Sequence, residues 1–109
     1  MGPEHLEAAL AAALRDESEG DTGVVIARSC LADHLRRQGR SEDALSTIAP
    51  SLAAGAPKAG MLHVVEAEAL HALGRVQEAS AAVARALALA SSAESRVTLT
   101  ARFAEAGLG

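Results

Sequence analysis

The chain has 109 residues, a net charge of −4, half of its residues hydrophobic, and one aromatic residue, Phe103. With 27 alanines and neither Trp nor Tyr, the composition favours helix, because alanine loses least on entering one and sheets draw on aromatic and β-branched residues. The negative charge offers no global basic field for nucleic acid or an anionic membrane, the lone aromatic gives no base-stacking platform, and charged residues or His interrupt every apolar run before it reaches membrane-spanning length.

Six helices are predicted, separated by short polar or glycine-containing breaks. The first covers Pro3 to Glu17, with proline in the first turn, where a missing N–H costs nothing. A polar loop through Asp16, Glu17, Ser18, Glu19, Gly20, Asp21, Thr22 and Gly23 follows. The second helix runs from Val24 to Gln38 and stops at Gly39. The third starts at the N-cap Ser41, where Glu42 and Asp43 favour the helix dipole, and reaches Ala54. Pro50 lies inside it, so a kink or an early end near Ala49 is expected. The fourth helix covers Pro57 to Gly74 and the fifth Val76 to Ala90. The sixth opens on a capping box of Ser91 and Glu94 and ends at Ala106, before Gly107. Breaks this short favour antiparallel neighbours packed as hairpins.

Self-comparison reveals a repeat. Gly39-Arg40-Ser41-Glu42-Asp43-Ala44 aligns with Gly74-Arg75-Val76-Gln77-Glu78-Ala79, an offset of 74 minus 39, or 35. At that offset Ala32 pairs with Ala67, Leu35 with Leu70, Ile48 with Val83 and Leu52 with Leu87. Alanine at these places lets two helices approach closely. Glycine ends the first helix because it accepts the left-handed cap conformation. One such unit cannot bury its apolar face alone, so units must stack.

The pattern resembles the tetratricopeptide repeat, a helical hairpin of about 34 residues. Leu31, Ala32, Leu35, Gly39, Ala44, Ile48 and Leu52 carry the resemblance in the first unit. Ala67, Leu70, Gly74, Ala79, Val83, Ala86 and Leu87 carry it in the second. Arg28 and His63 stand where the family often has Trp, and Glu66 where it has Leu. The resemblance implies an all-α, right-handed stack of antiparallel hairpins, an α-solenoid. Residues 1–20 would form an N-terminal half repeat or cap, 24–55 and 57–90 two repeats, and 92–109 a C-terminal half repeat, with Gly109 lying 35 beyond Gly74. Arg96 and Arg102 would give the last helix a polar outer face.

The resemblance further implies a groove that binds a peptide or helix of a partner protein. Its wall would comprise Ser29, Asp33, Arg36 and Arg37 from the first unit and Val64, Glu68 and His71 from the second. Arg96, Leu99 and Phe103 join if the sixth helix continues the surface. The clamp of Asn and Lys that some relatives use for a C-terminal carboxylate is not expected, since the chain has no Asn and one Lys, Lys58.

Other constellations carry less chemistry. Cys30 and His34 share a helix face, but no second ligand pair follows, so no metal is expected, and the pair reads as a buried or partly buried thiol beside a surface histidine. His63 and His71, two turns apart, read as surface histidines. Ser29, Asp33 and His34 fall within two turns of one helix and cannot form a catalytic relay. Glycines at helix stops form no phosphate loop. The cluster of Arg36, Arg37 and Arg40 suits either a bound anion or a solvated helix end.

The chain is therefore expected to be a non-enzymatic interaction module without cofactors, nucleic acid or membrane among its partners. One cysteine, no signal-like N-terminus and Arg in excess of Lys suggest a bacterial cytoplasm. Two alternatives are a homo-oligomer joined through Leu6, Leu10, Leu14, Leu99 and Phe103, and a regulatory piece of a larger signalling or transcription protein.

Overall fold

A computed structural model describes residues 3–55 and 60–108. Its elements are α1 (Glu4–Asp16), α2 (Thr22–Arg37), α3 (Ser41–Ala53), α4 (Gly60–Ala72), α5 (Val76–Ala88) and α6 (Ala93–Glu105), with no strand among the described residues. Each helix packs on its neighbours in sequence, and α2 also packs on α4. The radius of gyration is 13.3 Å, the value of a compact domain of this length.

The helix stops follow one device. Gly39, Gly74 and Gly107 adopt positive φ of 81°, 77° and 84°. At each, the glycine N–H bonds the carbonyl three residues back, and the next N–H bonds one five residues back: Leu35, Leu70 and Phe103. This double bond pattern satisfies carbonyls that a helix end would otherwise strand. The third cap lies 33 residues beyond Gly74, not 35, and Gly109 lies outside the described residues. The register at α6 is thus two residues shorter than the repeat offset. That places Phe103 where Leu35 and Leu70 stand, in the core.

The core has two parts. One joins Val25, Leu31, Ala32, Leu35, Ala44, Ile48, Leu62, Val65 and Ala69, with Leu6 and Leu10 leaning on it from α1. The other joins Val64, Ala67, Leu70, Ala79, Ala82, Ala86 and Phe103. Leu45 touches both. The alanines of both units at the aligned positions, Ala32, Ala44, Ala67 and Ala79, are completely buried, which lets the helix backbones approach closely.

Some expected boundaries move. Pro50 neither ends nor splits α3, which continues to Ala53. The carbonyl deprived of its partner belongs to Ser46; Ser46 and Pro50 are both exposed, so water can reach it. Arg28 Nη1 also donates to the next carbonyl, Thr47 O, at 2.8 Å. The cap of α6 is Ser92, not Ser91: its hydroxyl accepts from Ser95 N–H at 3.1 Å. The expected start of the fourth helix, Pro57 through Ala59, lies outside the described residues. Helix α2 begins two residues earlier than expected, because the Glu17 carboxylate reaches forward to accept from Gly23 N–H.

Arg28 fills the place where the resemblance expects Trp. It is 8% exposed and grips Glu19 with two hydrogen bonds, of 2.6 and 2.7 Å. Ser51, also buried, donates to the same carboxylate. A polar clamp here fastens the α1–α2 loop to α3, where an aromatic ring would have packed by area alone.

Candidate functional site

The richest constellation lies where α2, α4 and α6 meet. Asp33 on α2 accepts from Arg36 Nη2 and from Arg37 Nε, each at 2.9 Å. Three- and four-residue spacing puts these partners on one helix face. Glu68, on α4, is buried and accepts from Arg102 Nη2, on α6, at 2.6 Å. Two longer contacts close the network: Arg102 lies 3.5 Å from Asp33, and Arg36 lies 4.0 Å from Glu68. Five side chains from three helices thus form one ion cluster with three cations and two anions.

The electrostatics follow from this geometry. Burial works against the Asp33 charge, but the Arg36 hydrogen bond and the charges of Arg36, Arg37 and Arg102 outweigh it and hold its carboxyl below the usual range. Burial likewise opposes the Arg102 charge, yet Glu68 and Asp33 push its pKa up. Both shifts keep Asp33 and Arg102 charged at neutral pH.

Beside the cluster run two troughs along α2. The smaller, 180 Å³, is lined by Ser29, Cys30, Asp33, Met61 and Arg102. The larger, 320 Å³, is lined by Thr22, Val25, Ile26, Ser29, Cys30 and Met61. Ile26 and Met61, 57% and 49% exposed, are the two large apolar side chains open to solvent in the wall of this trough. The two troughs share Ser29, Cys30 and Met61, and the smaller one shares Asp33 and Arg102 with the ion cluster.

The expected groove residues separate into three groups. Asp33, Arg36, Arg37 and Glu68 meet in the cluster, and Ser29 lies in the wall of both troughs. Arg96 is exposed outside the network, and His71 packs against the end of α6 near Gly107. Phe103, 1% exposed, belongs to the core, because the shortened register turns it inward. Val64 is equally buried; with Leu99 it lines a further trough of 430 Å³ between α4 and the α5–α6 junction, which shares Met61 with the two along α2.

Arg102 was assigned to an outer polar face and is instead the cluster's third cation. Met61, Ile26 and Cys30 were also missed. The Cys30 and His34 assignments invert: Cys30 is exposed, whereas His34 is partly buried, its Nε2 without a partner. His63 is not a free surface group but bonds Glu66 at 2.9 Å. That Glu66 oxygen also accepts from Arg85 of α5, whereas His71 lies beside Gly107. Leu6 and Leu10 pack on the core and Phe103 is sealed within it, which leaves Leu14 partly open from the apolar set expected to drive self-association.

A trough of 450 Å³ lies on the α3–α5 side, between residues such as Ile48, Leu52, Ala81 and Arg85. Its charges are satisfied locally: Arg75 pairs with Glu78, and Arg85 with Glu66. Among the described residues no group of three or more His, Cys, Asp and Glu side chains could hold a metal ion, and no helix is long and apolar enough to cross a membrane. No family model matches the chain, and neither the curated proteins nor the solved structures contain a match.

Proposed function

We propose that the chain is a non-enzymatic protein-interaction module of tetratricopeptide-like hairpins, which binds a peptide or helix of a partner on the surface shared by α2, α4 and α6. The observation that carries this reading is the continuity of that surface. An apolar trough with exposed Ile26 and Met61 shares Ser29, Cys30 and Met61 with a smaller trough, which meets the ion cluster at Asp33 and Arg102. An amphipathic segment needs those two kinds of surface side by side. The matching glycine caps of α2 and α4, and the packing of α2 on α4, support the stacked-hairpin arrangement.

Rigidity is the mechanism. Arg102 and Glu68 brace α6 against α4, and Asp33 is held by both neighbouring arginines, so few rotamers remain to be frozen when a partner docks. The test is recovery of partners by pull-down, then titration against wild type and Arg36→Ala/Arg37→Ala. The reading expects weakened binding in the variant. Unchanged affinity for every recovered partner would remove this arginine pair from the site.

A further inference from the structure

We infer that this surface selects a partner segment carrying an internal Asp or Glu side chain beside an apolar one. The carboxylate would be taken at the Ser29–Arg102 side of the smaller trough and the apolar group in the trough of Val25, Ile26 and Met61. The inference rests on the interaction reading above and specifies the chemistry of the partner.

Three observations carry it. First, the cluster has unspent donors. Asp33 and Glu68 accept through both oxygens, whereas the recorded bonds use only Nε of Arg37 and leave Nη1 of Arg36 and of Arg102 unengaged. What this surface lacks is an acceptor. Second, three cations face two anions, a surplus of one positive charge on a chain whose net charge is −4. One surplus charge matches a carboxylate better than a phosphate of about −1.5 to −2. Third, Ser29 is 4% exposed, lies in the wall of both troughs, and its Oγ has no hydrogen-bond partner. A buried hydroxyl left unpaired is costly, and an acceptor entering the trough beside it would take its O–H.

The position of Ser29 gives the ligand its layout. It stands one turn from Ile26 and one turn from Asp33, so the acidic and apolar groups of the partner approach the same stretch of α2. Arg37 lies about two turns beyond Ser29, roughly 12 Å along the axis, and extends the acceptor-seeking surface away from the trough. The partner's backbone would run along α2 from Ile26 toward Arg37, with its acid internal to the segment.

The test is selection of a phage-displayed library of random 16-residue peptides on the full chain. Winners are then synthesised with acetylated and amidated ends, so that side chains are their only carboxylates. The expected winners carry Asp or Glu at a constant spacing from an aliphatic residue. Changing that acid to Gln should weaken binding about tenfold or more, the size of a charge-assisted hydrogen bond. Ser29→Ala should weaken binding about three- to tenfold while leaving the thermal midpoint of the free protein unchanged or raised, a split that a merely structural serine would not give. Winners without acids, or with equal Glu and Gln affinities, would overturn the acidic-partner inference; if such winners still shield Cys30 from alkylation, the interaction reading survives. Failure to enrich any peptide would overturn both. Concentration-dependent self-association that Arg37→Glu abolishes would make the occupant a second copy and overturn the inference.

Discussion

Arg102 of α6 donates to the buried carboxylate of Glu68 on α4 at 2.6 Å, across 34 positions of sequence. This one pair decides which face α6 presents. Removing Arg102 leaves Glu68 buried without its main partner, and the loss exceeds that of a surface pair. Arg102 is itself about a third exposed, so the cost is moderated by water. Arg102→Ala should destabilise the chain by about 1–3 kcal/mol. Arg102→Met with Glu68→Leu should recover most of that loss, and denaturant unfolding of the two singles and the double closes the cycle.

Arg28 is the second polar brace. Its guanidinium makes two bonds to Glu19 and one to Thr47 O, so Arg28→Ala leaves Glu19, about a third exposed, with Ser51 and water as its partners. A loss of about 1–2 kcal/mol is expected. Hydrogen exchange should show faster opening between Glu17 and Gly23 than elsewhere, because that loop loses its anchor to α3.

Acid should weaken the fold through the same groups. Hydrogen bonding from Arg28 holds the Glu19 carboxyl below its ordinary 4.5, with the Arg28 charge adding to it against the cost of burial. Asp33 is held below its ordinary 3.8 by its arginines, again against burial. In this window the unfolded chain binds more protons than the folded one, so stability rises with pH there. The contribution is fully present above about pH 5 and is lost as pH falls through the depressed folded values. Urea midpoints measured from pH 6 down to pH 3 should fall, and the Arg28→Ala variant should fall less.

The alanine-rich core makes a steric prediction. Ala67 is completely buried among Leu70, Ala79, Ala82 and Phe103. Ala67→Leu forces the backbones of α4 and α5 apart and should cost about 1–3 kcal/mol. An unchanged thermal midpoint would contradict the close approach assigned to these helices.

Most of the helix plan was legible in the residues because glycine caps and helix-period alanines are local signals. Gly39 and Gly74 mark their stops unaided, and Ala32, Ala44, Ala67 and Ala79 fall at close contacts as their repetition predicts. What was not legible depends on register and on reach. A constant offset of 35 aligns Phe103 with Asp33 and Glu68, on the groove. The real cap at Gly107 shifts α6 by two residues and brings Phe103 into the register of Leu35 and Leu70, in the core. Long side chains hide their partners in the same way: nothing within α2 reveals that Arg28 reaches Glu19 and Thr47. Pro50 misled because the carbonyl it deprives, that of Ser46, lies on the exposed side of α3, where water can reach it.

The central claim is that the α2–α4–α6 surface is where a partner binds. Amide chemical-shift mapping of the isotopically labelled chain, titrated with a selected library peptide, tests it most directly. The account predicts shifts concentrated at Ser29, Cys30, Asp33 and Arg37 of α2, Met61 of α4 and Arg102 of α6. Shifts concentrated instead at Ile48, Leu52, Ala81 and Arg85 on the α3–α5 side would contradict it.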